Sequence, residues 1–353
     1  MGKLFITGMG RSGTTLLDKL LTNHDDIDVL SQPLPLLYVE AKNRFLKDLG
    51  VEKYFVLNDD LISKNYTQKE FDAYLSHLIL KPTQIADIFK KMEGYSGQST
   101  KADFPIKSDL PPAQGLSGLI DLCLSSFSKK LACRYIGTKE IMCEEFLPYL
   151  CVKGYKCILI LRDPRDVLAS VNYPKKEKYL GEKKPTLFIL RSWRKSVEYA
   201  FQLRNKNNFH MLRYEDLVAD PMKELGAITE FLGVPGFPPD QFEKGILDRD
   251  GVIWGANSSF GINGSFISKR PDEMYKSTLT AEEIAYTEAV CSLELGWLGY
   301  PFQYPLDMTD TIRGFRDHGV PGDQNISADF SSQEINADME IERLSTFRNF
   351  FGQ

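Results

Sequence analysis

Short apolar runs alternate with amphipathic stretches along much of the chain, and this alternation predicts the fold. Strands are predicted from Lys3 to Thr7 and from Lys156 to Leu161, the second apolar almost throughout, as a central parallel strand should be. Shorter strands are predicted at Ile27–Leu30, Arg134–Gly137 and Phe209–Arg213. Helices are predicted after the first strand, where Leu16, Leu17, Leu20 and Leu21 share one face, and at Asp163–Asn172 and Pro221–Leu232. This order indicates an α/β fold with a doubly wound parallel sheet flanked by helices.

Two regions depart from the alternation. Residues 31–130 have a mostly helical, proline-punctuated pattern, which we interpret as an insertion that covers the sheet and shapes a substrate cleft. Residues 1–306 are predicted to form a single domain, and residues 307–353 a polar C-terminal extension. The last part of this tail, residues 331–351, has the periodicity of one amphipathic helix. Its predicted apolar face contains Ile335, Met339, Ile341, Leu344 and Phe347.

Composition narrows the possible partners and the compartment. The 353 residues are 42% hydrophobic and 26% charged, as in an ordinary globular protein, and the net charge of −5 argues against a nucleic-acid partner. No apolar run reaches the length of a membrane span, so we expect no membrane partner, and the strand at Lys3 leaves no room for a signal peptide. The six cysteines lack metal-ligand spacing and are expected to be reduced thiols. A cytoplasmic location follows as an expectation.

A glycine-rich segment, Gly8-Met-Gly-Arg-Ser-Gly-Thr-Thr15, joins the first strand to the first helix. Glycines allow the backbone to turn tightly and to present N–H groups to an anion. The N-terminus of the helix adds unpaired N–H donors and the positive end of the helix dipole. Arg11 adds a permanent charge with a forked donor face suited to phosphate. The segment therefore predicts a P-loop-like phosphate site.

Two familiar classes of nucleotide-binding loop fit this segment only in part. Gly8 and Gly13 have the spacing of the loop of ATP-binding phosphotransferases, but Thr14 occupies the position of its lysine. The strand that ends at Leu161 also continues into an arginine, where that class has a metal-binding aspartate. The same glycines form a GxGxxG dinucleotide-binding pattern, with Asp28 about where a ribose-binding acid would lie, but GxGxxG alone is a weak signal.

The segment closely resembles the 5′-phosphosulfate loop of sulfotransferases that use 3′-phosphoadenosine-5′-phosphosulfate (PAPS), in which the basic residue precedes Ser-Gly-Thr-Thr as Arg11 does here. Arg162-Asp-Pro-Arg-Asp-Val-Leu-Ala-Ser170 is similar to the 3′-phosphate element of that family, with an arginine at the strand end and a serine eight residues later. The resemblance implies that PAPS is the sulfuryl donor. It implies this set of donor-binding residues: Arg11, Ser12, Gly13, Thr14, Thr15, Arg162, Ser170, Tyr214, Ser259 and Lys276.

The resemblance also implies a reaction, the transfer of a sulfuryl group to a hydroxyl or amine of a small-molecule or carbohydrate acceptor. Such transfer depends on positioning and charge stabilisation, which Arg11 would supply, and the chemistry requires no metal. A hydroxyl acceptor needs a general base, for which we predict Glu140, with Lys139 binding the sulfuryl oxygens. Glu40 and His77 are reserve candidates. Gln32 stands where protein-tyrosine sulfotransferases carry a glutamate, which argues against tyrosine sulfation.

A second hypothesis is a degenerate P-loop or dinucleotide-binding module without catalysis. It remains open at this point because the base is uncertain and the C-terminal tail is polar.

Overall fold

The structure is a computed structural model that describes residues 1–50, 66–92, 115–127, 133–173, 183–243, 245–249, 251–254, 273–304, 307–317 and 337–351. Five parallel strands form its central sheet, in the order β2-β3-β1-β4-β5. The strands are β1 (Gly2–Thr7), β2 (Ile27–Ser31), β3 (Tyr135–Lys139), β4 (Lys156–Leu161) and β5 (Phe209–Arg213). The predicted strands and their parallel arrangement are confirmed, although β3 begins and ends later than its apolar pattern suggested.

The helices precede, follow or separate these strands, and a 3₁₀ turn spans Glu144–Phe146. They are α1 (Thr14–Thr22), α2 (Pro35–Asp48), α3 (Gln68–His77), α4 (Pro82–Met92), α5 (Gly115–Phe127), α6 (Leu147–Val152), α7 (Pro164–Asn172), α8 (Thr186–Leu203), α9 (Tyr214–Ala219), α10 (Pro221–Leu232), α11 (Tyr275–Thr278), α12 (Ala281–Val290), α13 (Ser292–Leu298), α14 (Met308–Gly314) and α15 (Ala337–Phe351). The described parts of the predicted insertion form α2 to α5, so its mostly helical character is confirmed.

Helices cover both faces of the sheet because its strands are apolar on both sides. In β4, Ile158 and Ile160 point into a core with α1, α9 and α10, whereas Leu159 and Leu161 point into a larger core on the opposite face. The larger core includes the wholly buried Trp193 of α8. Burial on both faces is what makes the strands nearly continuous apolar runs rather than alternating ones. This arrangement confirms the doubly wound architecture.

Strand order determines which loops meet. β1 lies at the centre of the sheet with β3 on one side and β4 on the other, and all three strands run parallel. The segments that follow them therefore leave from the same edge of the sheet. From β1 the chain continues to β2, which lies with β3 on one side of β1, whereas β4 and β5 lie on the other side. The order of the strands therefore changes direction at β1. In open α/β sheets, ligands bind at such a switch point, outside the carboxyl ends of the strands.

The C-terminal helix α15 packs into this domain. Leu344, Phe347 and Phe351 are buried in the larger core. Glu340 is also buried, where it pairs with Arg191 at 2.6 Å and with Arg194 at 2.5 Å, both on α8. The predicted helix is confirmed from Ala337 onward, and Ile335 lies outside the described residues. Its predicted apolar face was wrong at Met339, which is exposed.

Arg343, a buried arginine of α15 itself, ties this helix to α8 a second time and also to α13. Its guanidinium binds Glu198 of α8 and lies 2.6 Å from Glu294 of α13. Buried charges of this kind are tolerated because each has an oppositely charged partner. The pairing explains why a polar sequence at the end of the chain forms part of the packed structure.

Within the described ranges, no helix has the length and apolar character required to cross a membrane. All six cysteines fall in the described part of the chain and are buried free thiols.

Candidate active site

The loop between β1 and α1 passes so close to its neighbours that two positions require glycine. A Cβ atom on Gly8 would lie 2.4 Å from the backbone oxygen of Ile160 in β4. A Cβ on Gly13 would lie 2.4 Å from Cδ2 of Tyr214, and Gly13 has a φ of 94°, in the left-handed region. The two glycines therefore let the loop rest against β4 and let the ring of Tyr214 cover the start of α1.

Arg11 extends from this loop toward the element that follows β4. Its φ of 74° is unusual for a residue with a side chain, and it turns the loop just before α1. The Nε atom of Arg11 donates a hydrogen bond of 2.9 Å to the hydroxyl of Ser170 on α7. The two residues that the sequence assigns to opposite ends of one donor molecule are therefore neighbours. Ser170 reaches the loop from the late turn of α7.

Arg162 directly follows β4 and is held on several sides. Its Nη1 atom donates to the backbone oxygen of Arg11 at 3.2 Å, and its Nη2 atom lies 3.6 Å from Asp166. The guanidinium also stacks on the ring of Tyr214, 4.5 Å from the ring centre. From behind, the indole N–H of Trp193 donates to the backbone oxygen of Arg162 at 2.7 Å. Arg162 therefore has a fixed orientation beside the loop.

Two buried polar atoms at this point have no hydrogen-bond partner in the part of the chain that the structure describes: Ser12 Oγ and Arg162 Nε. Buried donors without partners are costly, and a bound ligand is one of the reasons that a native structure retains them. Gly13 caps α1 without a side-chain hydrogen bond, so the first-turn N–H groups of this helix are not satisfied by a side-chain cap. Together these groups fit an anion with several oxygens.

A third element, the end of β3, reaches the same edge of the sheet. Lys139 is 1% exposed, and its Nζ atom lies 3.4 Å from Thr15 Oγ1 of the loop and 3.3 Å from Gln32 Oε1. It also lies 3.5 Å from Asp18 Oδ2 on α1. The loop, the end of β2 and the end of β3 therefore converge on one buried ammonium group.

Glu140 is fully enclosed next to this lysine. Its Oε1 atom accepts a hydrogen bond of 2.8 Å from the backbone N–H of Leu34, and its Oε2 atom has no partner among the described residues. Burial raises the pKa of Glu140 from its ordinary 4.5 to about 8, although the Leu34 hydrogen bond and the charge of Lys139 both act to lower it. This carboxyl is therefore mostly protonated at neutral pH.

The fold does not support a dinucleotide-binding site of the GxGxxG type. Asp28, the expected ribose ligand, is fully buried and binds Arg249 through both carboxylate oxygens at 2.9 Å. In addition, β3 lies between β1 and β2, whereas the dinucleotide fold places its first two strands side by side. The interpretation of Asp28 as a ribose ligand is therefore wrong, because Arg249 already saturates its carboxylate.

Comparison with known protein families identifies the class of this site. Residues 3–92, which include the glycine-rich loop, match the model described as the sulfotransferase family, and residues 141–296, which include Arg162 and Ser170, match the sulfotransferase domain. The chain belongs to the sulfotransferase family. The prediction of a sulfotransferase enzyme, made from the loop and from the segment after β4, is thereby confirmed.

Individual relatives of this sulfotransferase are distant. Carbohydrate sulfotransferase 1 of Mus musculus is 22% identical over 342 residues, which cover 84% of this chain and 79% of the mouse protein. The 3-beta-hydroxysteroid sulfotransferase of Cavia porcellus is 35% identical over 89 residues, 22% of this chain and 31% of that protein. Among solved structures, the sulfotransferase domain from the curacin biosynthetic pathway is 22% identical, with a TM-score of 0.41, over 94% of this chain and 97% of that one.

The remaining predicted residues of this sulfotransferase lie apart from the loop or outside the described residues. Lys276 is an exposed residue of α11, 2.6 Å from Glu273, and Ser259 lies outside the described residues. The two reserve bases have local partners: Glu40 pairs with Arg44 at 2.7 Å, and the His77 ring bonds the backbone of its own helix at Ala73. None of these contacts joins the loop.

Three residues that the sequence analysis did not select support the sulfotransferase site. Trp193 fixes the backbone of Arg162, and Asp18 contacts Lys139, as described above. Asp166 contacts Arg162 and also accepts a hydrogen bond of 3.0 Å from the N–H of Tyr275, which starts α11. Burial raises the pKa of Asp166 to about 7 against the lowering effect of Arg162. The four-residue spacing between Arg162 and Asp166 is the sequence signal from which the contact between these two side chains could have been predicted.

Proposed function

We propose that this sulfotransferase uses PAPS as donor and transfers its sulfuryl group in line to a hydroxyl or amine of a small-molecule or carbohydrate acceptor, with a general base and without a metal. The observation that carries the proposal is the hydrogen bond from Arg11 to Ser170 together with the hydrogen bond from Arg162 to the backbone of Arg11. These contacts place two sets of cationic and hydroxyl donors side by side. One set suits a 5′-phosphosulfate and the other a 3′-phosphate.

The residues divide into two binding groups on this proposal. Arg11, Ser12 and the N–H groups that begin α1 at Thr14 hold the 5′-phosphosulfate, and Arg162 with Ser170 holds the 3′-phosphate. The unpartnered Ser12 Oγ and Arg162 Nε atoms support this division, because each group then has a donor that a phosphate oxygen would satisfy. Tyr214 stacks on Arg162 and limits its motion.

The chemical step on this proposal is charge stabilisation and proton removal by residues at the same sheet edge. As the bond between sulfur and the 5′-phosphate oxygen breaks, negative charge develops on that phosphate, where Arg11 and the first-turn N–H groups of α1 are already oriented. Lys139 would bind the sulfuryl oxygens and Glu140 would accept the proton of the acceptor. The unpartnered Oε2 atom and the raised pKa of Glu140 support its assignment as base.

The proposed acceptor class draws support from the relatives. The mouse relative is named for carbohydrate and the guinea pig relative for a hydroxysteroid, so sulfotransferases similar to this chain act on sugars and on small molecules. A panel of monosaccharides, oligosaccharides, phenols, sterols and amines, each incubated with ³⁵S-labelled PAPS, tests the assignment. Label appears in at least one member of the panel if the acceptor class is right, and in none of them if it is wrong.

Binding of 3′-phosphoadenosine-5′-phosphate (PAP) tests the assignment of the donor. We expect titration calorimetry to give micromolar affinity for PAP and at least tenfold weaker binding of ATP and NAD⁺, because only PAP carries the 3′-phosphate that Arg162 and Ser170 suit, at about 1.5–3 kcal/mol per charged hydrogen bond. Equal binding of all three nucleotides, or none, would contradict the assignment of PAPS.

Replacing Arg162 should remove the preference for the 3′-phosphate. In Arg162→Met, which keeps an apolar stem against Tyr214, we expect PAP affinity to fall by about 100-fold, or about 3 kcal/mol, since charged hydrogen bonds to the phosphate are lost. The affinity for AMP, which lacks the 3′-phosphate, should stay within about twofold, because the contribution of Arg162 is to the missing group. Calorimetry with both nucleotides gives the ratio directly.

The exposed Arg204, just after α8, offers the matched control, because Arg204→Met removes the same charge from a guanidinium that contacts Phe201 and not the loop. It should leave both affinities unchanged. If Arg162→Met lowers the affinities for PAP and AMP by the same factor, Arg162 shapes the loop and does not bind the 3′-phosphate.

A further inference from the structure

A buried carboxylate on α1 has no part in the binding groups described above. Asp18 lies one helical turn after Thr14 and is 1% exposed. Its Oδ2 atom lies 3.5 Å from Lys139 Nζ and accepts a hydrogen bond of 2.7 Å from the hydroxyl of Ser31. Ser31 ends β2 and Lys139 ends β3, so one carboxylate oxygen of Asp18 links α1 to the carboxyl ends of two strands.

The ammonium group of Lys139 meets three acceptors, two on α1 and one just after β2. Thr15 Oγ1, Gln32 Oε1 and Asp18 Oδ2 lie between 3.3 and 3.5 Å from Nζ. Three acceptors match the three N–H donors of an ammonium group. Thr15 and Gln32 are neutral, so the negative charge among these three comes from Asp18. The position of the ammonium beside the loop therefore depends on this carboxylate.

The electrostatics of the pair follow from its burial. A buried ammonium group loses its hydration, which is costly unless an opposite charge lies close by. Burial raises the pKa of Asp18, while the charges of Lys139 and Lys19 and the hydroxyl of Ser31 act to lower it. The contacts around Asp18 therefore oppose part of the cost of burying its charge.

We infer that Asp18 is a positioning residue for sulfuryl transfer, which holds the Lys139 ammonium group against Thr15 of the phosphate loop. This inference rests on the proposed function, since it assigns Lys139 to the sulfuryl oxygens. Asp18 contacts Lys139 and acts on the reaction through this lysine. The carboxylate of Asp18 is required for the rate of transfer more than for donor binding, because the phosphates have their own ligands in Arg11 and Arg162.

Asp18→Asn tests the inference in an assay that needs no known acceptor. The full chain is given ³⁵S-labelled PAPS, and sulfate released to water is measured: the bond from sulfur to the phosphate oxygen breaks, a bond to the water oxygen forms, and water gives up one proton. We expect kcat to fall about tenfold or more, as when a partner that orients a functional side chain is lost. The KM for PAPS should stay within about twofold, since the loss acts on the rate and not on donor binding.

The split between kcat and KM gives a readout that a purely structural residue would not change. Loss of fold stability alone would lower the amount of active enzyme and leave kcat per folded molecule unchanged, whereas loss of the contact that orients Lys139 lowers kcat in the folded enzyme. Calorimetry with PAP on the folded variant should give an affinity within about twofold of the wild type.

Asp28→Asn is the matched control for stability. Asp28 is also a buried aspartate paired with a basic side chain, Arg249, and it belongs to β2. Both variants lose a buried ion pair and should unfold at lower temperature than the wild type. In the folded enzyme, Asp28→Asn should keep the wild-type kcat, whereas Asp18→Asn should not.

A milder variant covers the case in which Asp18→Asn does not fold. Ser31→Ala removes the hydroxyl that orients the Asp18 carboxylate and should lower kcat a few-fold, with an unchanged KM for PAPS. Wild-type kcat in Asp18→Asn, or in Ser31→Ala if only that variant folds, would overturn the inference while the proposed function stands. A wild type that neither binds PAP nor releases sulfate would overturn both.

Discussion

Arg11→Ala is expected to lower kcat/KM for sulfuryl transfer by about 10²–10³-fold, or about 3–4 kcal/mol, the cost of removing one preorganised donor to a developing negative charge. Arg11 is placed for this purpose by two contacts: its Nε atom donates to Ser170, and its backbone oxygen accepts from Arg162. The first-turn N–H groups of α1 remain in the variant, so transfer should fall without vanishing. Labelled sulfate transfer at varied PAPS concentration measures the loss.

The backbone at Arg11 makes this variant easy to interpret. A φ of 74° costs any residue with a Cβ atom a similar amount, so Arg11→Ala should melt close to the wild-type temperature. Arg11→Lys retains the charge but loses the fork and the Ser170 hydrogen bond, and its rate should fall between those of the wild type and Arg11→Ala. An Arg11→Ala rate within threefold of wild type, with PAP bound normally, would remove Arg11 from the reaction.

The sequence was sufficient for the parts of the site that depend on local pattern. Apolar runs located the strands, and the loop and Arg162 each follow a strand, so parallel pairing alone brings them to one sheet edge. The contact between Arg11 and Ser170 was not predictable in the same way. It depends on the bend of the loop at a positive φ and on how α7 leaves β4, which the eight-residue spacing does not determine.

Buried charges account for most of what the sequence did not reveal. Asp18 stands next to Lys19 between two pairs of leucines and reads as part of the solvent face of α1, yet it is buried against Lys139. Helix α8 was not predicted because its arginines, lysine and glutamate interrupt the apolar pattern, although Arg194 and Lys195 are almost fully buried. Each is compensated by a carboxylate distant in sequence, as Arg194 is by Glu340. Periodicity cannot distinguish a charge that faces solvent from one that faces such a partner.

Loss of the proton from the buried carboxyl of Glu140 should have opposite effects on folding and on catalysis: stability falls and the rate rises. Its pKa is raised from 4.5 to about 8, so the folded state binds the proton more tightly than the unfolded chain does. This carboxyl therefore favours folding below about pH 4.5 and loses that contribution as the pH rises through about 8. Catalysis as a base requires the deprotonated form, so the rate should rise over the upper part of the same range.

Glu140→Gln is expected to lower kcat by about 10²–10⁴-fold and to abolish the rise of rate with pH, because an amide cannot accept the acceptor's proton. PAP affinity should be unchanged, and above pH 8 the variant should be more stable than the wild type, since its amide oxygen still accepts from Leu34 and carries no charge.

Glu145→Gln is the matched control: Lys195 and Lys42 outweigh burial and lower the pKa of Glu145 to about 2, so its charge stabilises the fold at neutral pH. That variant should melt lower yet retain the pH-dependent rise. Full activity in Glu140→Gln, with the stability change intact, would leave Glu140 as the residue that fixes Leu34 and would assign the base to another group.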